Sequence, residues 1–154
     1  MTDLYDSLLA EERDLVVEDF TLEDAWQLGL QMRAAAVAAA LPIAIGITFG
    51  QQRVFHTALP GSSADNDDWL ARKTMVALRY ARASLTVGES FRVNGQDFDV
   101  DGRLDTARYA AHGGVVPLRL HGGIVIGTVG VSGLPELDDH AFVVAQLRAF
   151  LARR

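Results

Sequence analysis

The sequence predicts an α+β fold, with an antiparallel sheet of two hairpins and helices packed on its faces. Three observations carry this. Two stretches with strand-like patterning, at about 43–58 and 113–133, each fold back on themselves at glycine. Segments of helical periodicity precede, separate and follow them. The strands lack the βαβ spacing that a parallel sheet requires.

Residues 3–16 place Leu4, Leu8 and Leu15 on a rough helical stripe, and 1–20 reads as a helical extension of a single domain spanning 1–154. Thr21 with Asp24 three residues on resembles a capping box and opens a helix over 22–40. Its last third, "AAAVAAA", is nearly all alanine, which favours helix and is expected to be buried against another element. Pro42 ends it. "PIAIGITF" alternates Ile43, Ile45, Ile47 and Phe49 against Ala44, Gly46 and Thr48, the period of a strand. Gly50-Gln51 supplies a type II′ turn, and "QRVFHTAL" returns antiparallel. After Pro60-Gly61 a helix is expected from Asn66 to about Ala83, with Asp65 as N-cap and Asp67 and Asp68 favourable in its first turn. Residues 85–111 carry weaker patterning. Asn94-Gly95 marks a turn, and "RLDTARYAAH" suggests a short helix. "GGVVPLRLHGGIVIGTVGVSG" gives the second hairpin, turning at Gly122-Gly123, and Pro135–Arg153 the final helix.

Composition excludes several functions. The 154 residues contain no cysteine, so disulfides, thiolate metal sites and cysteine nucleophiles are absent. The net charge of −6 argues against general binding to nucleic acid. No apolar run approaches the ~18 residues that span a membrane, and the acidic N-terminus is no signal peptide. The expectation is a soluble, cytoplasmic protein.

Several motifs fail on spacing. Glycines 127, 130 and 133 do not form G-x-G-x-x-G, and Leu134 breaks a G-x-S-x-G around Ser132. The acidic run at 65–68 lacks the alternation of a calcium loop, and Val76 stands where its twelfth residue must be Glu. No histidine pair has i, i+4 metal spacing. His56 reads as a hydrogen-bonded histidine at the core edge, and His121 as a solvated residue of a hairpin tip. His112, in "YAAHGG", sits beside Gly113 and Gly114, where backbone can come close to a ligand. His140, in "GLPELDDH", neighbours Asp138 and Asp139. Those carboxylates either orient the imidazole for ligation or proton transfer, or serve the helix dipole. Lys73 falls in an apolar helical stripe with Trp69 four residues and Asn66 seven residues before it. Its ammonium either snorkels to solvent, pairs with an Asp of the fold, or meets an anionic ligand. Asp68 and Arg72 read as an i, i+4 surface pair.

Four stretches together, "LPIAI", "FHTALPGSSADNDDWLARK", "YAAHGGVVPLRL" and "GTVGVSGLPELDDHAFVVAQLRAFL", resemble the small haem-degrading-domain proteins, in a branch designated an uncharacterised protein family. The resemblance covers about residues 20–152. The wider superfamily includes a haem-binding sensor, a glycolate-operon protein and the C-terminal domain of some cobalamin adenosyltransferases. The resemblance implies a profilin-like sandwich, homo-oligomeric assembly and, loosely, haem binding or degradation. In its first motif the matching positions are Pro60, Gly61, Asn66, Trp69 and Lys73; in its second, His112, Gly113 and Gly114. Ser132, Gly133, Leu134, Pro135, Asp139 and His140 match the third.

A haem site needs an apolar slot, an axial ligand and cations for the propionates. His112 or His140 can ligate, and Lys73 with Arg72 or Arg53 can meet propionates. The expected ligand face therefore comprises Asn66, Trp69, Lys73, His112, Gly113 and His140, around a pocket where 60–68, 111–114 and the start of the last helix meet. A weaker expectation is a metal held by His112, His140 and Asp139. The competing reading is a non-catalytic scaffold, with the same motifs acting as caps and turns at a subunit interface.

Overall fold

The computed structural model describes residues 3–154. Its elements are α1 (Asp3–Asp14), β1 (Val16–Val17), α2 (Leu22–Ala38), β2 (Ala44–Phe49), β3 (Gln52–Ala58), α3 (Ala64–Tyr80), α4 (Ser84–Val93), α5 (Phe98–Asp101), β4 (Val115–Leu120), β5 (Val125–Ser132) and α6 (Glu136–Ala152). The sheet order is β1-β4-β5-β2-β3. Both hairpins form as expected, and β2 joins them by pairing antiparallel with β5. The stretch expected to be only a helical extension also supplies β1, which pairs parallel with β4 at the sheet edge. Two residues are too few to show periodicity, so no pattern announced that strand. No helix among the described residues is long and apolar enough to cross a membrane.

The alternation in β2 divides large from small rather than buried from exposed. Ile45 and Ile47, with Val116, Leu118, Val129 and Val131, face α2 and α6 and form the main core with Leu28, Met32, Val143, Leu147 and Phe150. The opposite face carries cross-strand pairs of small residues: Ala44 with Ser132, Gly46 with Gly130, and Thr48 with Thr128. The two threonine hydroxyls bond each other at 2.8 Å. Side chains this small let α3 settle closely. A Cβ on Gly46 or Gly130 would stand 3.1 Å from the Leu70 methyls. The result is a sheet buried on both faces.

Helix boundaries follow their caps. The Thr21–Asp24 capping box forms, with Thr21 N–H donating to Asp24 Oδ2 (2.8 Å) and Asp24 N–H to Thr21 Oγ1 (3.1 Å). α3 begins earlier than expected: Ser63, not Asp65, is its N-cap, and Asn66 Oδ1 accepts the Ser63 N–H at 2.8 Å. It also ends earlier, where Ala81 turns left-handed at φ 53°. The alanine-rich end of α2 is not buried. Only Ala36 is enclosed, while Ala34 and Ala38–Ala40 face solvent. The core face of α2 is instead made by Ala25, Leu28, Gly29 and Met32. The weakly patterned 85–111 forms α4 and α5, and "RLDTARYAAH" is turn and extended chain rather than helix. Its Tyr109 and Ala111 pack with Val76, Val87 and Phe98 in a second small core, where tertiary contact overrides local propensity.

Candidate functional site

α3, the 111–114 segment and the start of α6 converge at Lys73. Its side chain and that of Asp139 are each 3% exposed and lie 3.2 Å apart. Lys73 Nζ donates to Asp139 Oδ2, to Gly113 O (3.0 Å) and to Val131 O (2.8 Å), so all three of its protons have protein acceptors. Of the options open in the sequence, the structure selects the aspartate of the fold. Asp139 also accepts the N–H groups of Leu134 (3.0 Å) and Gly133 (3.4 Å). Burial draws the Lys73 pKa down and pushes the Asp139 pKa up, against their mutual attraction. The glycines of "HGG" serve this packing. A Cβ on Gly114, whose φ is +138°, would lie 2.4 Å from Lys73 Nζ, and one on Gly113 would lie 2.3 Å from Glu136 O.

Above this pair lies a cleft of about 260 Å³ lined by Asp65, Asn66, Trp69, Lys73, His112, Gly113, Ser132, Gly133, Leu134, Glu136 and Asp139. The structure thus brings Asn66, Trp69, Lys73, His112 and Gly113 to one cavity. The His112 ring stands edge-on to Trp69, with centroids 5.4 Å apart at 88°. His112 Nδ1 is 3.4 Å from Glu136 Oε2, and Gly113 N–H donates to Glu136 Oε1 at 3.2 Å. Glu136 also meets Arg92 (3.4 Å). Chiefly through the His112 contact, and against the effect of burial, its pKa is lowered to about 2. With Nδ1 turned to Glu136, His112 Nε2 has no hydrogen-bond partner among the described residues. A carboxylate behind an imidazole raises the basicity of its free nitrogen. On the outer side, Arg72 lies 4.0 Å over the Trp69 ring and bonds Asp68 Oδ2 at 2.9 Å, the expected surface pair.

His140 does not join this cleft. It is buried where α6 meets α1, with Nε2 2.6 Å from Glu11 Oε1. Among the described residues no three His, Asp or Glu side chains gather as metal ligands, so His112, His140 and Asp139 do not form a three-ligand set. His56 pairs with Asp67 at 2.7 Å, linking β3 to α3, and Arg53 lies in that neighbouring groove, away from the cleft. One hydrogen-bonding participant was not singled out in the sequence, Glu136. Glu136 carried a legible signal, as the first carboxylate of "PELDDH".

Fold and site define a small α+β domain with a polar, histidine-bearing cleft at the junction of three segments. The chain belongs to the family of the haem-degrading protein HbpS-like domains, whose model matches residues 20–148. It is 47% identical over 146 residues to a UPF0303 protein of Streptomyces avermitilis, covering 95% of this chain and 90% of that one. Its fold matches the crystal structure of the Ybr137w protein with a TM-score of 0.88 and 29% identity, over 97% of this chain and 88% of the other. The crystal structure of a PduOC:heme complex matches with a TM-score of 0.71 and 18% identity, over 86% and 95%.

Proposed function

We propose that this chain is a cytoplasmic small-ligand-binding domain whose cleft engages its ligand through His112 and the Asn66–Trp69 face. The observation that carries the reading is the His112 imidazole, held by Glu136 through Nδ1 against the wall of Trp69. Its Nε2 is the donor a ligand or a metal centre would meet. Family membership and the haem in the PduOC complex make haem the first candidate.

The residues fit haem ligation at the rim. His112 would hold the iron through a ring nitrogen, and Trp69 would supply an apolar wall. The cleft, at about 260 Å³, does not enclose a macrocycle, being smaller than the roughly 300–1,000 Å³ clefts of drug-sized ligands. Lys73 has no proton to spare for a propionate, which removes one of the cations expected from the sequence. Arg72, over the Trp69 ring, and Arg92, bonded to Glu136, are the guanidinium groups beside the cleft that could meet propionates. Bound iron would supply redox chemistry, and the chain's own groups bind and orient.

The same reading includes assembly with further copies of the chain. Leu22 (64% exposed), Trp26 (51%), Leu30 and Val37 (51%) form an exposed apolar face of α2. A scaffold built through that face is compatible with the cleft and does not replace it.

A haemin titration followed at the Soret band tests the proposal. Saturable binding in the wild type, lost in His112→Ala and retained in His140→Ala, supports it. Equal binding by His112→Ala and wild type sinks it.

A further inference from the structure

A second cleft lies at the β1 edge of the sheet, beside the β4–β5 turn. It measures about 450 Å³ and is lined by Glu12, Arg13, Val16, Arg82, Arg119, Leu120, His121, Gly122 and Gly123. Three separate stretches of chain deliver its polar groups: Glu12 and Arg13 come from α1, Arg82 from the α3–α4 connection, and Arg119 and His121 from the end of β4 and the turn that follows it. No sequence spacing joins them, so the cluster is a product of the fold.

Its charges are unevenly matched. Arg13 has no carboxylate within ion-pair distance among the described residues. Arg119 donates to two backbone carbonyls, Gly123 O (3.1 Å) and Ala81 O, which orient the guanidinium without neutralising it. Arg82 has only a long contact of 3.8 Å to Glu12 Oε2. Glu12 is 6% exposed, and its Oε1 accepts the Ala83 N–H at 2.8 Å. Three guanidinium charges against one carboxylate leave two positive charges in one cleft of a chain whose net charge is −6. Guanidinium forks are suited to phosphoryl oxygens. The turn backbone is fixed as well, since His121 N–H donates to Val17 O at 3.1 Å.

We infer that this arginine cleft is a binding site for a small, multiply charged anion of the phosphate-ester or pyrophosphate class. The volume suits a small molecule. The acidic remainder of the surface repels long polyanions, which separates this site from nucleic-acid binding. It is independent of the His112 cleft, and either site can fail without the other.

Inorganic pyrophosphate is the probe, titrated into the full chain at low ionic strength by calorimetry and by two-dimensional amide NMR. Saturable binding with shifts at Gly122 and Gly123 is expected. Arg13→Gln/Arg82→Gln should weaken it roughly tenfold or more, the effect of losing a charge-assisted hydrogen bond. Arg148→Gln, on the exposed side of α6, should leave it unchanged. Arg13→Gln alone removes no side-chain hydrogen bond or ion pair among the described residues and serves if the double variant does not fold. The inference is overturned by absence of saturable binding, by variants that bind as wild type does, by shifts confined to the His112 cleft, or by acetate binding equally well.

Discussion

Replacing Lys73 by Met removes the ammonium that ties α3 to the 111–114 segment, β5 and α6. Three charge-assisted hydrogen bonds vanish, and Asp139 is left 3% exposed with only two backbone N–H donors. Breaking one partner of a buried ion pair costs roughly 3–5 kcal/mol. For a chain of this size that lowers Tm by on the order of 10 °C. In Lys73→Met the Asp139 pKa, already raised by burial, loses its opposing attraction and rises further. A carboxyl with a raised folded pKa destabilises as pH rises through that value, so the deficit of Lys73→Met is smallest in acid and grows toward neutrality. Adding Asp139→Asn relieves the stranded charge, while its amide oxygen can still accept from Leu134 N–H. The double variant should therefore lose at least 1.5 kcal/mol less than the sum of the singles, on the order of coupling in contacting pairs. Urea unfolding of the four proteins at pH 7 and pH 5 completes the cycle. A Lys73→Met cost below about 1 kcal/mol, or additivity within about 0.5 kcal/mol, would refute the view that this pair pins the site.

The other expectations concern charge, packing and assembly. Glu136, with its pKa lowered to about 2, contributes stability that is full above 4.5 and lost as pH falls from there toward about 2. Glu136→Gln should flatten the dependence of Tm on pH in that window, by on the order of 1 kcal/mol after solvent screening, and thermal melts across it will show whether it does. Gly130→Ala places a Cβ 2.5 Å from Val115 Cγ2 and should cost about 1–3 kcal/mol in urea unfolding. Gly46→Ala, whose nearest neighbour is the end of the Leu70 side chain on α3 at 3.1 Å, should cost less, and the reverse order would contradict these packing distances. Trp26→Glu should reduce the oligomer mass seen by light scattering if the apolar face of α2 meets another copy. An unchanged mass excludes that face.

Much of the fold was legible because each hairpin announces itself locally, through period-2 alternation ending at glycines that adopt positive φ (Gly50 at 53°, Gly122 at 93°). What was misread depended on distant partners. Alternation in β2 cannot tell a solvent face from a face of small residues awaiting a helix. The alanines at the end of α2 looked buried because alanine packs well, yet no element reaches them. β1 exists only because β4 offers an edge. At the site, the grouping of Asn66, Trp69 and Lys73 followed from helical spacing alone, and the 111–114 segment reaches them through the Lys73 bond to Gly113 O. The destination of His140 was hidden, because its partner Glu11 lies 129 positions away and carries no pattern.

A crystal structure of the full chain grown with haemin tests the central claim most directly. The account predicts ligand density at the mouth of the cleft, bounded by Asn66, Trp69 and Gly113, with His112 Nε2 as the protein ligand to iron. Density ligated instead by His56, His121 or His140, with the His112 cleft empty, would contradict it.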